Sequence, residues 1–166
     1  MNTGGAANAI LGGWQVSGIT TFQAGFPFTV TGTDYSNTGS ATPRPDRTCF
    51  GNGSKTLTAW FDTSCFTEAP LAAAQLAGIF EFGNSGRNIL SGPGLNDFDF
   101  SAIKHFKLGE RFDLEFRAEL FNMWNTPNFG YPNTNVGAAS FGVIHNVNGG
   151  NPNPARQVQF AMKLTF

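Results

Sequence analysis

The sequence predicts an all-β protein: an antiparallel sheet, sandwich or partial barrel of about six to eight strands, with long Gly/Asn/Pro-rich loops and at most one short helix. Three observations carry that prediction. Phe112, Leu114, Phe116, Ala118 and Leu120 alternate with Arg111, Asp113, Glu115, Arg117 and Glu119. A period of two puts apolar side chains on one face of a strand and charge on the other, whereas a helix would scatter them around its axis. The same alternation returns at the end of the chain, where Val158, Phe160, Met162, Leu164 and Phe166 interleave with Gln157, Gln159, Ala161, Lys163 and Thr165. The third observation is composition. With 21 Gly and 18 Phe in 166 residues, the chain reads as aromatic strands joined by turn residues.

Taken in order, Met1 to Gly13 is a tail of small residues too poor in apolar surface to order itself. It lacks the basic start and continuous apolar core of a signal peptide. Read literally, the chain would stay in the cytoplasm; the other reading is a mature form, or a piece of a longer exported protein. Trp14 to Ala24 is a strand, with Trp14, Val16, Gly18, Thr20 and Phe22 on one face. Phe26 to Thr33 is expected as a second, with Pro27 suited to a strand start, an edge or a bulge. The irregular stretch 34–94 contains the stiff corner Pro43-Arg44-Pro45-Asp46-Arg47, a short strand or turn around Trp60 and Phe61, and a helix candidate from Pro70 to Ala77.

Leu95 to Asn122 is a hairpin whose first strand carries Phe98, Phe100, Ala102 and Phe106 on one face and Asp97, Asp99, Ser101 and His105 on the other. Lys107 to Glu110 connect its strands, with Gly109 free to take a positive φ. Loops rich in Asn and Pro then flank a short strand expected at Phe141 to Val147, before the last strand from Arg156 to Phe166. The domain plan is thus a tail over 1–13 and a single β domain over 14–166 with a loop insertion at 34–94.

Function classes are narrowed by what the residues can do. Lys and Arg number 10 against 11 Asp and Glu, a net charge of −1, so no electrostatic footprint for nucleic acid is present. Charged residues make up 13%, about half the typical share. No apolar run approaches the roughly 18–20 residues of a membrane helix. Cys49 and Cys65 cannot build a structural zinc site alone. They are a disulfide candidate if the protein is exported, and two buried thiols otherwise. His105 and His145 read as ordinary strand positions. Asp97 and Asp99 share a face and are expected to match Arg111 or Arg117 across the hairpin. Asn52-Gly53-Ser54 fits a glycosylation acceptor, and the Ser- and Thr-rich stretch from Ser36 to Thr42 is a candidate for O-linked sugar. The nucleophile, metalloprotease and phosphate-loop patterns are absent. The expectation is a protein that is not an enzyme and uses no cofactor.

Several motifs resemble a known family. Gly12-Gly13-Trp14-Gln15-Val16-Ser17-Gly18-Ile19 and Gln23-Ala24-Gly25-Phe26-Pro27-Phe28-Thr29-Val30 are similar to late barrel strands of TonB-dependent, Oar-like outer-membrane receptors, the group carrying a carboxypeptidase-regulatory-like domain. Phe82-Gly83-Asn84-Ser85-Gly86-Arg87-Asn88, Gly92-Pro93-Gly94, Arg117-Ala118-Glu119-Leu120-Phe121-Asn122, Asn125-Thr126-Pro127-Asn128-Phe129-Gly130 and the ending Arg156 to Phe166 keep the same order. The resemblance implies a barrel of roughly 22 strands with a plug and a signal sequence, far more than 166 residues supply. It also implies that the terminal strand, with Phe160, Met162, Leu164 and Phe166, is a signal for barrel assembly.

Two functions follow as expectations. In the first, an open-edged sheet accepts a strand from a neighbour's tail, with Ala6, Ala7, Ala9, Ile10 and Leu11 as assembly residues. Repeated head to tail, that donation makes an extracellular filament of copies of this chain at the bacterial cell surface. In the alternative, the chain is the C-terminal barrel segment of a TonB-dependent receptor in the outer membrane. Surface glycans are a further candidate partner, through Trp60-Phe61 and Trp124.

Overall fold

The structure is a computed structural model that describes residues 10–34, 38–68, 78, 82–147 and 155–166. It is all-β and antiparallel, with ten strands and a single 3-10 turn, Thr63–Cys65, among the named elements. Four strands are long: β1 (Trp14–Gln23), β8 (Leu95–Leu108), β9 (Phe112–Phe121) and β10 (Gln157–Thr165). Six are short: β2 (Pro27–Phe28), β3 (Asp46–Arg47), β4 (Asn52–Thr56), β5 (Ala59–Phe61), β6 (Phe66–Thr67) and β7 (Leu90–Ser91). The chain divides into two compact units, one of Met1–Gln23, Leu95–Asn128 and Asn151–Phe166, the other of Ala24–Gly94 and Phe129–Gly150. The segment expected as an insertion, 34–94, lies wholly in the second unit.

The first unit is one sheet in the order β1-β8-β9-β10. The β8–β9 hairpin closes through a three-residue turn, 109–111, in place of the four residues expected, 107–110, with Leu108 paired to Phe112 and Gly109 at φ 84 in the turn. That positive φ favours a residue without Cβ. Trp14 pairs with Lys104 and Gln23 with Leu95 on one side of the hairpin. Gln157 pairs with Phe121 and Thr165 with Asp113 on the other. Among the described residues the outer edges of β1 and β10 are open, so the sheet is not a closed barrel.

The loop that follows β9 is organised by asparagines. Asn122 is buried at φ 46, and its side chain clamps Thr126 through Oδ1 accepting from the Thr126 N–H (2.8 Å) and Nδ2 donating to the Thr126 carbonyl (3.0 Å). Asn125, at φ 53, accepts from the Arg156 N–H, and buried Asn128 accepts from the Asn96 N–H. Asn tolerates the left-handed region and can copy backbone hydrogen bonds, which is why it recurs here.

The second unit has its own small core. Phe28, Val30, Phe61, Cys65, Phe66 and Leu90 are buried together, with Trp60, Ile89, Val136 and Phe141 packed against them. Phe61 is the hub, with ring centroids 5.7 Å from Phe28, 5.8 Å from Phe66 and 5.1 Å from Phe141. Three two-stranded ribbons, β2–β7, β3–β6 and β4–β5, surround it, and a disulfide joins Cys49 to Cys65. The corner 43–47 is pinned by the glycine-rich motif: Ser85 donates to the Pro45 carbonyl, Asn84 Oδ1 accepts from the Arg47 N–H, and the Asn84 N–H donates to Asp46 Oδ1.

Two expected strands differ. Only Pro27–Phe28 of the stretch from Phe26 to Thr33 joins a ladder; the Thr31 N–H donates to the Thr134 carbonyl instead, and the Thr29 hydroxyl bonds the Asn88 side chain. The stretch from Phe141 to Val147 forms no strand. Its backbone groups bond scattered partners, Ile144 N–H to the Leu57 carbonyl and Val143 N–H to the Ser140 carbonyl among them. The expected helix from Pro70 to Ala77 and the tail through Ala9 lie outside the described residues. Ile10 and Leu11 are helical in this chain.

Candidate functional site

The feature with the most chemical content is the four-stranded sheet, because register carries the alternation of each strand across all four. Val16, Ala102, Ala118 and Phe160 share one row; Gly18, Phe100, Leu120 and Val158 share the next on the same face. Trp14, Lys104, Phe116 and Met162 share another. Much of this apolar face is uncovered: Phe22 is 76% exposed, Phe160 67% and Met162 73%. Large apolar area left to solvent on a folded sheet marks a surface made for something other than water.

The opposite face is polar. Its rows include Ser17, Ser101, Glu119 and Gln159, and then His105, Glu115 and Lys163. Arg117 Nη2 lies 2.9 Å from Glu115 Oε1 and Nη1 lies 3.9 Å from Glu119 Oε1. These partners are two residues away along the same strand, so β9 matches its own charges. His105 Nδ1 stands 3.5 Å from Asp113 Oδ2. The expected pairing of Asp97 and Asp99 with Arg111 or Arg117 does not form. Register sets Ile103 opposite Arg117, and Asp99 Oδ1 instead accepts from the Asn122 N–H at 2.9 Å. Oδ1 atoms of Asp97 and Asp113 are buried without a protein partner.

Lys104 is the exception on the apolar face, and it is buried. Its Nζ donates to the carbonyls of Ile10 and Gly12, 5.1 Å from the centroid of the Trp14 ring and 5.4 Å from that of Phe106. The strand pattern alone does not reveal those partners, since they come from the turn ahead of β1.

The sheet is also asymmetric end to end. At one end a three-residue turn, 109–111, joins β8 to β9. At the other, both long connections depart, 24–94 between β1 and β8 and 122–156 between β9 and β10. Short turns at one end and long loops at the other are a hallmark of bacterial outer-membrane barrels. The long strands have 10, 14, 10 and 9 residues, against the roughly 9–11 a tilted strand needs to cross a bilayer.

Cys49, Asp62 and Cys65 lie close together, but the two sulfurs are bonded to each other, and Asp62 Oδ1 accepts from the Ser64 N–H and Oγ. His105 is in the first unit and His145 in the second. Asn52 opens β4 and is exposed. Trp60 is held by its Nε1 donating to the Ser91 carbonyl at 2.9 Å, with Lys55 Nζ 5.1 Å from its ring centroid. Trp124 stacks on Phe98 at 5.9 Å. Phe160, Met162 and Leu164 in β10, and Phe166 just after it, are all exposed.

Comparison with known proteins agrees with the two-faced sheet. A family described as an outer membrane beta barrel domain matches residues 1–159. No curated protein and no solved structure matches the chain. The chain therefore belongs to the outer membrane β-barrel domain family, a family of the outer membrane at the bacterial surface.

Proposed function

We propose that β1, β8, β9 and β10 form part of the wall of an outer-membrane barrel of the TonB-dependent receptor type. The apolar face meets lipid and the polar face lines a lumen. The carrying observation is the alternation that runs across four registered strands, with Lys104 on the apolar face and Ile19 and Ile103 on the polar face among its exceptions, each strand at least as long as a bilayer crossing requires. A water-soluble sheet of this size would have to cover Phe22, Phe160 and Met162, and it leaves them open. The open edges of β1 and β10 are where further strands of a wall would pair. On the lumen side Asp97, Asp99, Asp113, Glu115 and Glu119 outnumber Lys107, Arg117 and Lys163. Such a wall favours cationic or neutral polar solutes over anions. The role is non-catalytic and takes no cofactor.

The filament expected as the first reading is less well supported. The family match favours a barrel segment, and Ile10 and Leu11 are helical. The test is a fluorophore scan along β10 in lipid vesicles, with single cysteines placed in turn from Val158 to Leu164 and spin-labelled lipid as quencher. Quenching should alternate, strong at Val158, Phe160, Met162 and Leu164 and weak at Gln159, Ala161 and Lys163. Uniform quenching, or a protein that stays monomeric and soluble without detergent, would overturn the barrel reading.

A further inference from the structure

The chain ahead of β1 does not simply run on from the strand. Gly13, at φ 69, turns it, while the Gly13 carbonyl still accepts from the His105 N–H at 3.3 Å. Before that turn, Ile10 and Leu11 are helical. The end of a helical turn leaves carbonyls without partners inside the helix, and here Lys104 on β8 takes them. Its ammonium donates to the Ile10 and Gly12 carbonyls, and Trp14 Nε1 donates to the Ile10 carbonyl at 2.8 Å. A cation at a helical C-terminus is favourable, and more so when aromatic faces flank it. The segment is thereby held against β8, on the apolar face and at the short-turn end of the sheet.

That position determines what the segment meets. Ile10 is 68% exposed, Leu11 75% and the amphipathic Trp14 50%. They continue the lipid-facing surface toward the end where the short turn lies. Lys104 is four residues from Leu108, about 14 Å along the strand, and its ammonium lies 5.4 Å from the centroid of the Phe106 ring, one row nearer the turn. Two exposed aliphatic residues beside a tryptophan and a neutralised lysine have the makeup of an interfacial anchor.

We infer that Ile10 and Leu11 are a membrane-interface anchor, latched by Lys104 and Trp14, that rests in the headgroup boundary of the leaflet at the short-turn end. This inference rests on the barrel reading. Its occupant is phospholipid, because the patch is continuous with the face that reading places in lipid.

The test uses the full chain in phospholipid vesicles with an environment-sensitive fluorophore on Leu11→Cys, the native disulfide keeping Cys49 and Cys65 from labelling. Quenching should be about threefold stronger by lipid spin-labelled near the headgroup than near the chain end. Lys104→Gln should release the label to a water-soluble quencher, and Lys104→Arg should keep it in place. A label on Phe160→Cys, measured in the same backgrounds, reports whether the sheet itself is in lipid. If the Phe160 label escapes lipid quenching, the barrel reading has failed. If the Phe160 label is quenched while the Leu11 label is water-accessible, or is unmoved by Lys104→Gln, the anchor is overturned. Protection of Leu11 only at high protein-to-lipid ratio would mean that a second copy covers it, which also overturns the inference.

Discussion

Replacing Phe160 by Arg tests the direction of the sheet at its most sensitive point. Phe160 pairs with Ala118, which pairs with Ala102, which pairs with Val16, so the position is in the middle of the apolar face. Ala118 is six residues from Phe112 at the turn end. At about 3.4 Å per residue and a tilt near 40°, that separation is roughly 15 Å of depth, half of a hydrocarbon core of about 30 Å. An Arg at such a depth costs about 2–4 kcal/mol on the lipid face of a barrel. At about 1.4 kcal/mol per decade, the folding equilibrium shifts by roughly 30- to 1,000-fold. The neighbour Gln159 points the other way and pairs with Glu119. Gln159→Arg should therefore change stability by less than about 1 kcal/mol. The assay is denaturant unfolding of each variant from lipid vesicles, followed by tryptophan fluorescence with lipid composition held constant. Equal losses for the two variants, or a larger loss for Gln159→Arg, would refute the assignment of faces.

Other outcomes follow from the loops. Reducing the Cys49–Cys65 disulfide, which closes a sequence separation of 16, should destabilise the second unit by about 3 kcal/mol in the chain-entropy account; limited proteolysis should then cut within 38–68 and spare β8–β9. Asn122→Ala removes both bonds to Thr126 from a buried position and should cost about 1–3 kcal/mol by thermal unfolding, and Asn122→Gly should recover only the part due to the positive φ. Gly83→Ala would place a Cβ 1.9 Å from the Arg44 carbonyl oxygen and 2.5 Å from that of Pro45; opening that crossing should cost about 2 kcal/mol or more, read as faster proteolysis near the 43–47 corner.

Much of the first unit was legible in the residue order, and the reason is local. In a strand, facing is set by parity, so Phe112 to Leu120 and Val158 to Leu164 declare their faces with no knowledge of their neighbours. Trp14 to Phe22 did the same, and register then aligned the three patterns into one surface. The second unit was hard to read because its contacts are between loops. Phe26 to Thr33 and Phe141 to Val147 have strand-like composition, yet the backbone N–H groups of Thr31, Val143 and Ile144 donate to Thr134, Ser140 and Leu57, partners that no local period predicts.

The sequence by itself determined that the chain is a set of two-faced strands, because alternation is a property of consecutive residues. Only the tertiary structure decided that β1 and β10 flank the β8–β9 hairpin, since those pairings join partners far apart along the chain. It also decided that Asp99 serves the Asn122 backbone rather than an arginine. For Lys104 it supplied the partners that let a charge stand on an apolar face: the carbonyls of Ile10 and Gly12, more than ninety residues away.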